Sequence, residues 1–414
     1  MKIIHFIFVS VASLFIACNR QPAELFVGGR IAMDPYPELG GIVKELSPEN
    51  GGNAQPASQY EDEKKTSLIN GEPNITQFMN YRAFAVEKKG NIIQSITAKH
   101  IETGKELVFT APVFADCTGD GTIGALAGAD FAMGRESRAE FGESTAPETA
   151  DKMTMGSSVQ WYSEKEESPS VFPVFKYGID FNEENAQKVT MGEWTWETGM
   201  NFDQITDFEQ IRDYGMLVVY SNWSFLKNEY SGKDNYVDRK LGWVAYVAGK
   251  RESRRLLGDI ILKEQDIFDY VAYPDSSVTT SWSIDLHYPD PENTEHFPEK
   301  EFKSYAVFLK IYPYPIPYRC LYSRNIDNLF MAGRNISVTH VALGTTRQMR
   351  TTGMMGEVVG MAAALCKQNN VKPRGVYENH LEDLKKLMMK GVGKEGASPY
   401  PLYNLGEMLK EKKK

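Results

Sequence analysis

Asp327-Asn-Leu-Phe-Met-Ala-Gly-Arg334 and, further on, Gly353-Met-Met-Gly356-Glu-Val-Val-Gly360-Met-Ala-Ala-Ala364 are the stretches that decide the fold. The short apolar run that ends in Ala-Gly-Arg predicts a buried strand that stops at a tight turn. The glycines and alanines of the second stretch predict a helix thin enough for another backbone or a flat ligand to lie against it. The first turn of such a helix presents unpaired N–H groups and a positive dipole end. An ordinary strand and a tightly packed core helix would explain the same residues.

Further short motifs occur in one order along the chain. They are Arg30-Ile-Ala-Met-Asp-Pro35, Leu39-Gly-Gly-Ile42, Ala115-Asp-Cys-Thr-Gly-Asp-Gly121, Met133-Gly-Arg-Glu-Ser137, Arg251-Glu-Ser-Arg-Arg-Leu256, Trp282-Ser-Ile-Asp-Leu-His287, Ile316-Pro-Tyr-Arg319, Ala332-Gly-Arg-Asn-Ile-Ser337 and His340-Val-Ala-Leu-Gly344. With these motifs the chain, from about Gly29 to its C-terminus, resembles the bacterial FAD-dependent oxidoreductases, a family of secreted, glutathione-reductase-like flavoproteins. The resemblance implies an α/β fold of the glutathione-reductase type, which binds FAD or NAD(P), with an inserted substrate domain. It also implies hydride transfer between FAD and a small organic or sugar-like substrate.

One departure from the family pattern concerns the phosphate-binding turn. The family opens with a strand, a G-x-G-x-x-G turn and a helix, whose backbone N–H groups hold the FAD pyrophosphate. Here Ala23-Glu-Leu-Phe-Val-Gly-Gly29 resembles the beginning of that strand but continues directly into Arg30-Ile-Ala-Met-Asp-Pro35. The sequence therefore predicts that the first Rossmann βαβ unit is missing and that FAD binds weakly.

The order of apolar runs and turns gives the domain organisation. By resemblance, residues 29–134 and 316–390 form a partial, discontinuous FAD-binding domain, and residues 135–315 form the substrate domain. A helix is predicted up to Asn70, followed by a three-stranded meander, a further strand and two helices. The meander strands are predicted at Ile75–Val86, Ile92–Ile101 and Glu106–Ala115, the further strand at Met153–Tyr162, and the helices at Phe202–Tyr214 and Tyr236–Leu256.

The segment Gly119-Asp-Gly121-Thr-Ile-Gly124 matches G-x-G-x-x-G literally, but the residues around it do not suit a phosphate turn. A dinucleotide fingerprint needs a full helix and a second strand after the glycines, and Gly128-Ala-Asp130 cuts the helix short. The resemblance implies that Gly119 and Gly121 instead bring backbone close to FAD. Asp120 is predicted to cap the following turn.

The resemblance assigns cofactor contacts to further residues. Gly333 ends the predicted strand, and the helix beginning near Gly353, with Gly356 in its next turn, would stabilise the reduced flavin ring. Arg319 and Arg334 each follow a stiff or apolar segment, and a guanidinium fork can hold FAD phosphates or a carboxylate. For either arginine a structural pair with a carboxylate is the alternative.

Two of the six histidines are candidates for proton transfer. His340 lies between the Ala-Gly-Arg turn and the glycine-rich helix, and histidine titrates near neutral pH. His287 is the second candidate, and Asp285 would share its face if the segment is a strand. A structural role is the alternative for each. No motif of a serine hydrolase, a zinc protease or a P-loop enzyme occurs, and no metal site is predicted.

Composition and the N-terminal segment bear on location and partners. A net charge of -9 and a pI near 5.4 argue against nucleic-acid binding. Residues 1–18 resemble a lipoprotein signal ending at Cys18, which predicts an exported periplasmic or outer-membrane lipoprotein of a bacterium, in contact with the membrane only through this anchor. A plain secretory signal is the alternative. Cys117, Cys320 and Cys366 are predicted to be buried, inert thiols.

The sequence is compatible with two other functions. The first is a truncated, cofactor-free envelope lipoprotein with a binding or vestigial role. The second is a carbohydrate-binding module, which rests only on the aromatic residues Trp194, Trp196 and Trp223.

Overall fold

The computed structural model describes residues 39–48, 54, 57–280, 282–311 and 313–393, so the predictions for residues 1–38 lie outside the described residues. The α-helices are α1 (Gly41–Leu46), α2 (Asp62–Asn70), α3 (Thr122–Ala127), α4 (Arg138–Phe141), α5 (Phe208–Asn228), α6 (Glu264–Phe268), α7 (Pro291–His296), α8 (His340–Thr346), α9 (Met349–Asn369), α10 (Pro373–Asn379) and α11 (Leu381–Lys390). The strands are β1 (Tyr81–Lys89), β2 (Ile92–His100), β3 (Glu106–Phe109), β4 (Phe114–Asp116), β5 (Phe131–Ala132), β6 (Ser157–Ser158), β7 (Trp161–Lys165), β8 (Met191–Gly192), β9 (Glu197–Thr198), β10 (Arg239–Val244), β11 (Gly249–Lys250), β12 (Arg255–Leu256), β13 (Ser276–Thr279), β14 (Ile284–Pro289), β15 (Ser304–Leu309), β16 (Pro315–Pro317) and β17 (Leu329–Met331). The fold is mixed α/β.

Strands β4 and β17 form the one parallel strand pair among the described residues, with Met331 opposite Asp116. All three residues of β17 are fully buried, as is usual where both faces of a parallel pair are covered. The chain leaves β17 through Gly333, whose φ of 124° suits glycine, so the predicted strand and turn are confirmed. Within the described part of the chain, β4 has no second strand neighbour.

The predicted meander is confirmed as the antiparallel sheet β1-β2-β3, and the predicted helix up to Asn70 is α2. The third strand is shorter than predicted and ends at Phe109. Pro112 follows, and proline has no N–H to donate to a strand ladder, which explains the break before β4.

A second hydrophobic core, separate from the one around β17, is built on α5 and includes Trp161, Trp223 and Phe302. The helix predicted at Phe202–Tyr214 exists but begins at Phe208 and continues to Asn228. The strand predicted at Met153–Tyr162 is represented by the short strands β6 and β7.

The helix predicted at Tyr236–Leu256 is wrong, because this segment forms β10, β11 and β12. Strand β10 pairs with β7, and Trp243 stacks on Tyr162 with ring centroids 6.1 Å apart. Gly242 and Gly249 disfavour a helix, while the aromatic and β-branched residues between them suit a pleated surface. Cross-strand packing therefore outweighed the helical spacing of the apolar residues.

The glycine-rich helix is confirmed as α9, but it begins at Met349 rather than near Gly353. A Cβ on Gly353 would lie 2.7 Å from Val43 Cγ2, so this glycine allows helix α1 to approach α9. Apart from its chain neighbours and the backbone of α9 itself, no atom of the described residues would lie within 4 Å of a Cβ on Gly356. Of these two predicted cofactor contacts, the Gly353 position is therefore occupied by α1, and the surface at Gly356 is open.

Helix α1 is attached to α9 by one carboxylate. The N–H groups of Gly40 and Ile42 donate to Glu357 at 2.7 and 2.9 Å, and that of Val43 donates at 3.3 Å. An anion at a helix N-terminus satisfies N–H groups that have no partner inside the helix. Burial raises the pKa of Glu357, and these backbone donors oppose the rise.

The cysteine and tryptophan side chains differ in burial from one position to the next. Cys320 and Cys366 are buried as predicted, but Cys117 is exposed because it follows β4 at the open end of the parallel pair. Trp196 and Trp223 are buried in the second core, which removes most of the support for a carbohydrate-binding module. No helix among the described residues has the length and apolar character to cross a membrane.

Candidate functional site

The glycine turn at Gly119 and Gly121 and the turn at Gly333 lie together at the carboxyl ends of β4 and β17. Gly119 and Gly121 have φ values of 74° and 60°, which place both in the left-handed region that favours glycine. A Cβ on Gly119 would lie 2.3 Å from Arg334 Nη1, so the absent side chain makes room for this guanidinium. Gly119, Gly121, Gly333 and Arg334 therefore belong to one site.

Asp120 joins this turn to two cations and does not cap the following helix, so the capping prediction is wrong. Its carboxylate accepts hydrogen bonds from Arg334 and Lys250 at 2.8 Å each and from Ser253 Oγ at 2.7 Å. Helix α3 begins after Gly121 without a side-chain cap. Burial alone would raise the pKa of Asp120, but the charges of Arg334 and Lys250 lower it below its usual value. Two cations share one carboxylate here, which leaves net positive charge beside the turn.

Arg319 engages a different set of residues. Its Nε and Nη2 donate to Asp275 at 3.0 and 2.9 Å, and its guanidinium lies 4.4 Å from the centre of the Tyr377 ring. The bidentate fork is therefore already occupied by a buried carboxylate. This is the structural pair considered as the alternative, and a role of Arg319 in holding FAD stays a prediction.

The segment Arg251–Leu256 provides contacts that sequence reasoning did not assign. Arg251 reaches Glu197, Ser253 reaches Asp120, and the fully buried Arg255 donates to Glu136 at 2.7 Å. These contacts were not expected, because the segment was predicted to be the end of a helix and instead leads into strand β12. Four charged residues in an otherwise apolar neighbourhood were the signal that could have identified it.

His340 begins helix α8 and is oriented by Glu252. Its Nδ1 lies 3.0 Å from both carboxylate oxygens of Glu252, and its buried Nε2 has no hydrogen-bond partner among the described residues. Burial would raise the pKa of Glu252, but His340 and Arg255 lower it, so the carboxylate stays charged. A carboxylate at Nδ1 fixes the proton on that nitrogen and leaves the Nε2 lone pair to accept a proton.

His287 has both ring nitrogens next to carboxylates. Nδ1 makes a short hydrogen bond to Glu197, and Nε2 lies 3.2 Å from Asp285 Oδ1 without the alignment of a good hydrogen bond. The prediction that Asp285 shares its face is confirmed, since both are in β14. Trp194 lies over the ring at 5.1 Å. His287 therefore has less freedom than His340 to exchange a proton.

The two histidines have different carboxylate partners. His340 contacts Glu252, whereas His287 contacts Glu197 and lies 3.2 Å from Asp285. Helix α8, which begins at His340, packs on β14, since a Cβ on Gly344 would meet Asp285 N at 2.9 Å and Ile284 Cγ2 at 3.0 Å. His340 and His287 are therefore separate candidates for proton transfer.

Glu143 supports the start of α8 near His340. Its Oε1 accepts hydrogen bonds from Thr339 Oγ1 at 2.6 Å and from the Glu264 N–H at 2.9 Å. Thr339 in turn caps α8 through the Ala342 N–H. Burial, assisted by the charges of Glu136 and Glu264, raises the pKa of Glu143 to about 7.

We expect this raised pKa to make stability depend on pH. The folded protein holds the Glu143 proton more tightly than the unfolded chain, in which the pKa of this group is 4.5. The contribution of Glu143 to the free energy of unfolding is therefore fully present below pH 4.5 and falls as the pH rises to about 7. The contribution lost over this range is about 3 kcal/mol. Unfolding of the parent and Glu143→Gln by urea at both ends of this range should show the loss only in the parent. Equal pH dependence in the two proteins would contradict the assignment.

The described residues suit one side of a flavin nucleotide. The glycine turns at the ends of β4 and β17 allow close approach, and Arg334 and Lys250 supply positive charge. Helix α9 begins at Met349 without a side-chain cap, and the buried Nε of Arg334 has no partner within the described ranges. Crevices at the carboxyl ends of parallel strands are where α/β folds bind nucleotides. No group of His, Cys, Asp and Glu in the described part of the chain is arranged to hold a metal ion.

The fold is mixed α/β, with glycine turns and two cations at the carboxyl ends of a parallel strand pair. The family model described as FAD dependent oxidoreductase matches residues 66–388, so the chain belongs to this family, whose cofactor is FAD. Comparisons with curated proteins and with solved structures found no match.

Proposed function

We propose that this chain is an FAD-dependent oxidoreductase with a small organic or sugar-like substrate, and that His340 is its acid/base. The observation that carries the proposal is the buried, unpartnered Nε2 of His340 on a ring oriented by Glu252. FAD, when bound, supplies the hydride chemistry. Family membership supports the reaction type, and the glutathione-reductase-type fold with residues 29–134, 135–315 and 316–390 as its parts belongs to the same proposal.

Different residues of the chain would bind FAD and transfer the proton. Arg334 and Lys250 would bind the negative charges of FAD at the Gly119 turn, and the first turn of α9 would favour negative charge on the reduced ring. His340 would take a proton from a substrate hydroxyl at Nε2, and Glu252 would stabilise the resulting imidazolium. Burial of His340 excludes water from this exchange.

Substitution of the two histidines tests the assignment. We expect His340→Gln to slow substrate-dependent flavin reduction by roughly 10²–10⁴-fold, since this is the usual contribution of a general acid/base. His287→Gln, the matched control, should have a much smaller effect. Reduction of the FAD-loaded protein would be followed by absorbance across pH with a panel of polyols and hydroxy acids. A larger loss in His287→Gln would move the role to His287.

The alternative is a cofactor-free envelope lipoprotein with a binding or vestigial role. The open edge of β4 within the described residues and the sequence departure at Gly29 favour this alternative. A visible absorption spectrum separates the two functions, because only a flavoprotein shows the flavin bands.

Export as a periplasmic or outer-membrane lipoprotein is part of the proposal and rests on the sequence around Cys18. The mature protein should partition into detergent, and Cys18→Ser should abolish this partition because the lipid is lost. A water-soluble mature protein that begins elsewhere would favour the plain secretory signal.

A further inference from the structure

The connection between β7 and β8 presents apolar side chains to solvent. Its residues 171–177, Val-Phe-Pro-Val-Phe-Lys-Tyr, are called the 171–177 loop. Val171 and Tyr177 are 94% and 91% exposed, and Val174 and Phe175 are 53% and 37% exposed. Single exposed apolar residues are common on protein surfaces, but four within seven positions mark an interaction site.

The loop is held in place by a polar face of α5. The N–H of Phe175 donates to Ser224 Oγ at 2.9 Å, and the same hydroxyl donates to Pro173 O at 3.2 Å. Asn228 donates to Phe172 O at 3.2 Å, while Phe172 packs into the second core. Ordering a loop costs conformational entropy, and here the loop is ordered while Val171 and Tyr177 stay almost fully exposed. The arrangement therefore presents these side chains in a fixed position.

The loop continues to be fixed on both sides of the exposed tip. On one side, the Ser170 N–H donates to Val237 O at 2.8 Å, and on the other the Ile179 N–H donates to Ser221 Oγ at 2.9 Å. Gly178 allows this close approach, since a Cβ there would lie 2.1 Å from Ser221 Oγ. The tip is thus a rigid projection.

We propose that the 171–177 loop is a membrane-contact site that inserts Val171, Val174 and Tyr177 into the interface of a lipid bilayer. Val171 and Tyr177 are each more than nine-tenths exposed, so their side chains extend from the surface and do not line a groove. A bilayer accepts such a projection because each side chain is buried independently. This contact is additional to the anchor predicted at Cys18.

The side chains of the tip suit the bilayer interface. Tyr177 combines an apolar ring with a hydroxyl that can stay hydrated, and such residues are enriched at the level of the lipid headgroups. Lys176, between Phe175 and Tyr177, places a cation where lipid phosphates lie.

Vesicle flotation of the full chain tests the proposal. All proteins would carry Cys18→Ser so that no lipid is attached. The loop variant is Val171→Asp with Tyr177→Asp, and the matched control is Ile101→Asp with Val108→Asp, at positions 67% and 64% exposed on the meander. The vesicles would be phosphatidylcholine with phosphatidylglycerol. The partition coefficient of the loop variant onto them should be at least roughly tenfold lower than that of the parent, because two apolar side chains no longer enter the lipid. The control should partition as the parent does.

Several outcomes would overturn the proposal. Equal partition of the parent and the loop variant would show that other residues contact lipid, and so would an equal loss in the control. If the substitutions in the loop variant instead dissociate an oligomer, as measured by sedimentation, while vesicle binding is unchanged, the loop is a contact between copies of this chain.

Lys176→Gln should weaken vesicle binding only when phosphatidylglycerol is present. Thermal melting would establish that all variants fold.

Discussion

A strand–G-x-G-x-x-G–helix segment inserted between Gly29 and Arg30 is expected to raise the affinity of this chain for FAD by several powers of ten. The turn would add two or three charge-assisted hydrogen bonds from backbone N–H groups to phosphate, at roughly 1.5–3 kcal/mol each. In the proposed function, the described residues that would contact FAD are Arg334, Lys250 and the glycine turns, and a Rossmann turn is not among them. We therefore expect the parent chain to bind FAD weakly and the insertion variant to purify yellow.

Titration of both proteins with FAD, followed by flavin fluorescence, measures the difference. A second insertion in which the three glycines of the turn are replaced by alanine is the matched control, because it adds the same length without the close approach to phosphate. Stoichiometric FAD in the unmodified chain would contradict the prediction and would show that another loop holds the phosphates. Weak binding by both insertion variants would also contradict it.

Arg255→Leu is expected to lower the free energy of unfolding by about 3–5 kcal/mol, because it leaves buried carboxylates without their cation. Arg255 is fully buried and bonds to Glu252, to Glu136 and to the carbonyl oxygens of Gly134 and Val338. Loss of the guanidinium also leaves Glu252 without its cation, held by the Met155 N–H and by His340, so His340 should be oriented less firmly.

Arg324→Leu is the matched control, since it removes an arginine from a pair with Asp130 in which both side chains are more than two-fifths exposed. Such pairs contribute about 0–1 kcal/mol. Urea unfolding of the parent and both variants at one pH gives the comparison. A loss in Arg255→Leu no larger than that in Arg324→Leu would mean that the buried network is not a net source of stability.

The sequence predicted the parts of the fold in which local pattern and packing agree. The strand at 327–334 was found because an apolar run and a glycine turn coincide there, and the meander was found because its turns are short. The helix prediction for residues 236–256 was wrong because aromatic and apolar residues at helical spacing also suit a sheet. Here the pairing of β10 with β7 stabilised the sheet.

Residues of the candidate site could be predicted from the sequence where each one lies in a recognisable local pattern. Gly119 and Arg334 were both predicted as site residues because their turns follow apolar strands, and the structure brings them into contact. Glu252 and Glu197 could not be assigned, since their partners His340 and His287 lie 88 and 90 positions away. Contacts at such separation leave no local pattern in a single sequence.

The attachment of α1 to Glu357 affects the order in which the chain folds during translation. Gly40 and the carboxylate that accepts its N–H are 317 positions apart, so the first described helix is synthesised long before its cap. Chains emerge at about 5–20 residues per second, which leaves this helix without its partner for tens of seconds. The contact joins parts of the described chain that are far apart in sequence, and such contacts form late because closing a long loop is slow. The region around Leu39 to Val43 is therefore expected to be the last to become resistant to protease on a translating ribosome.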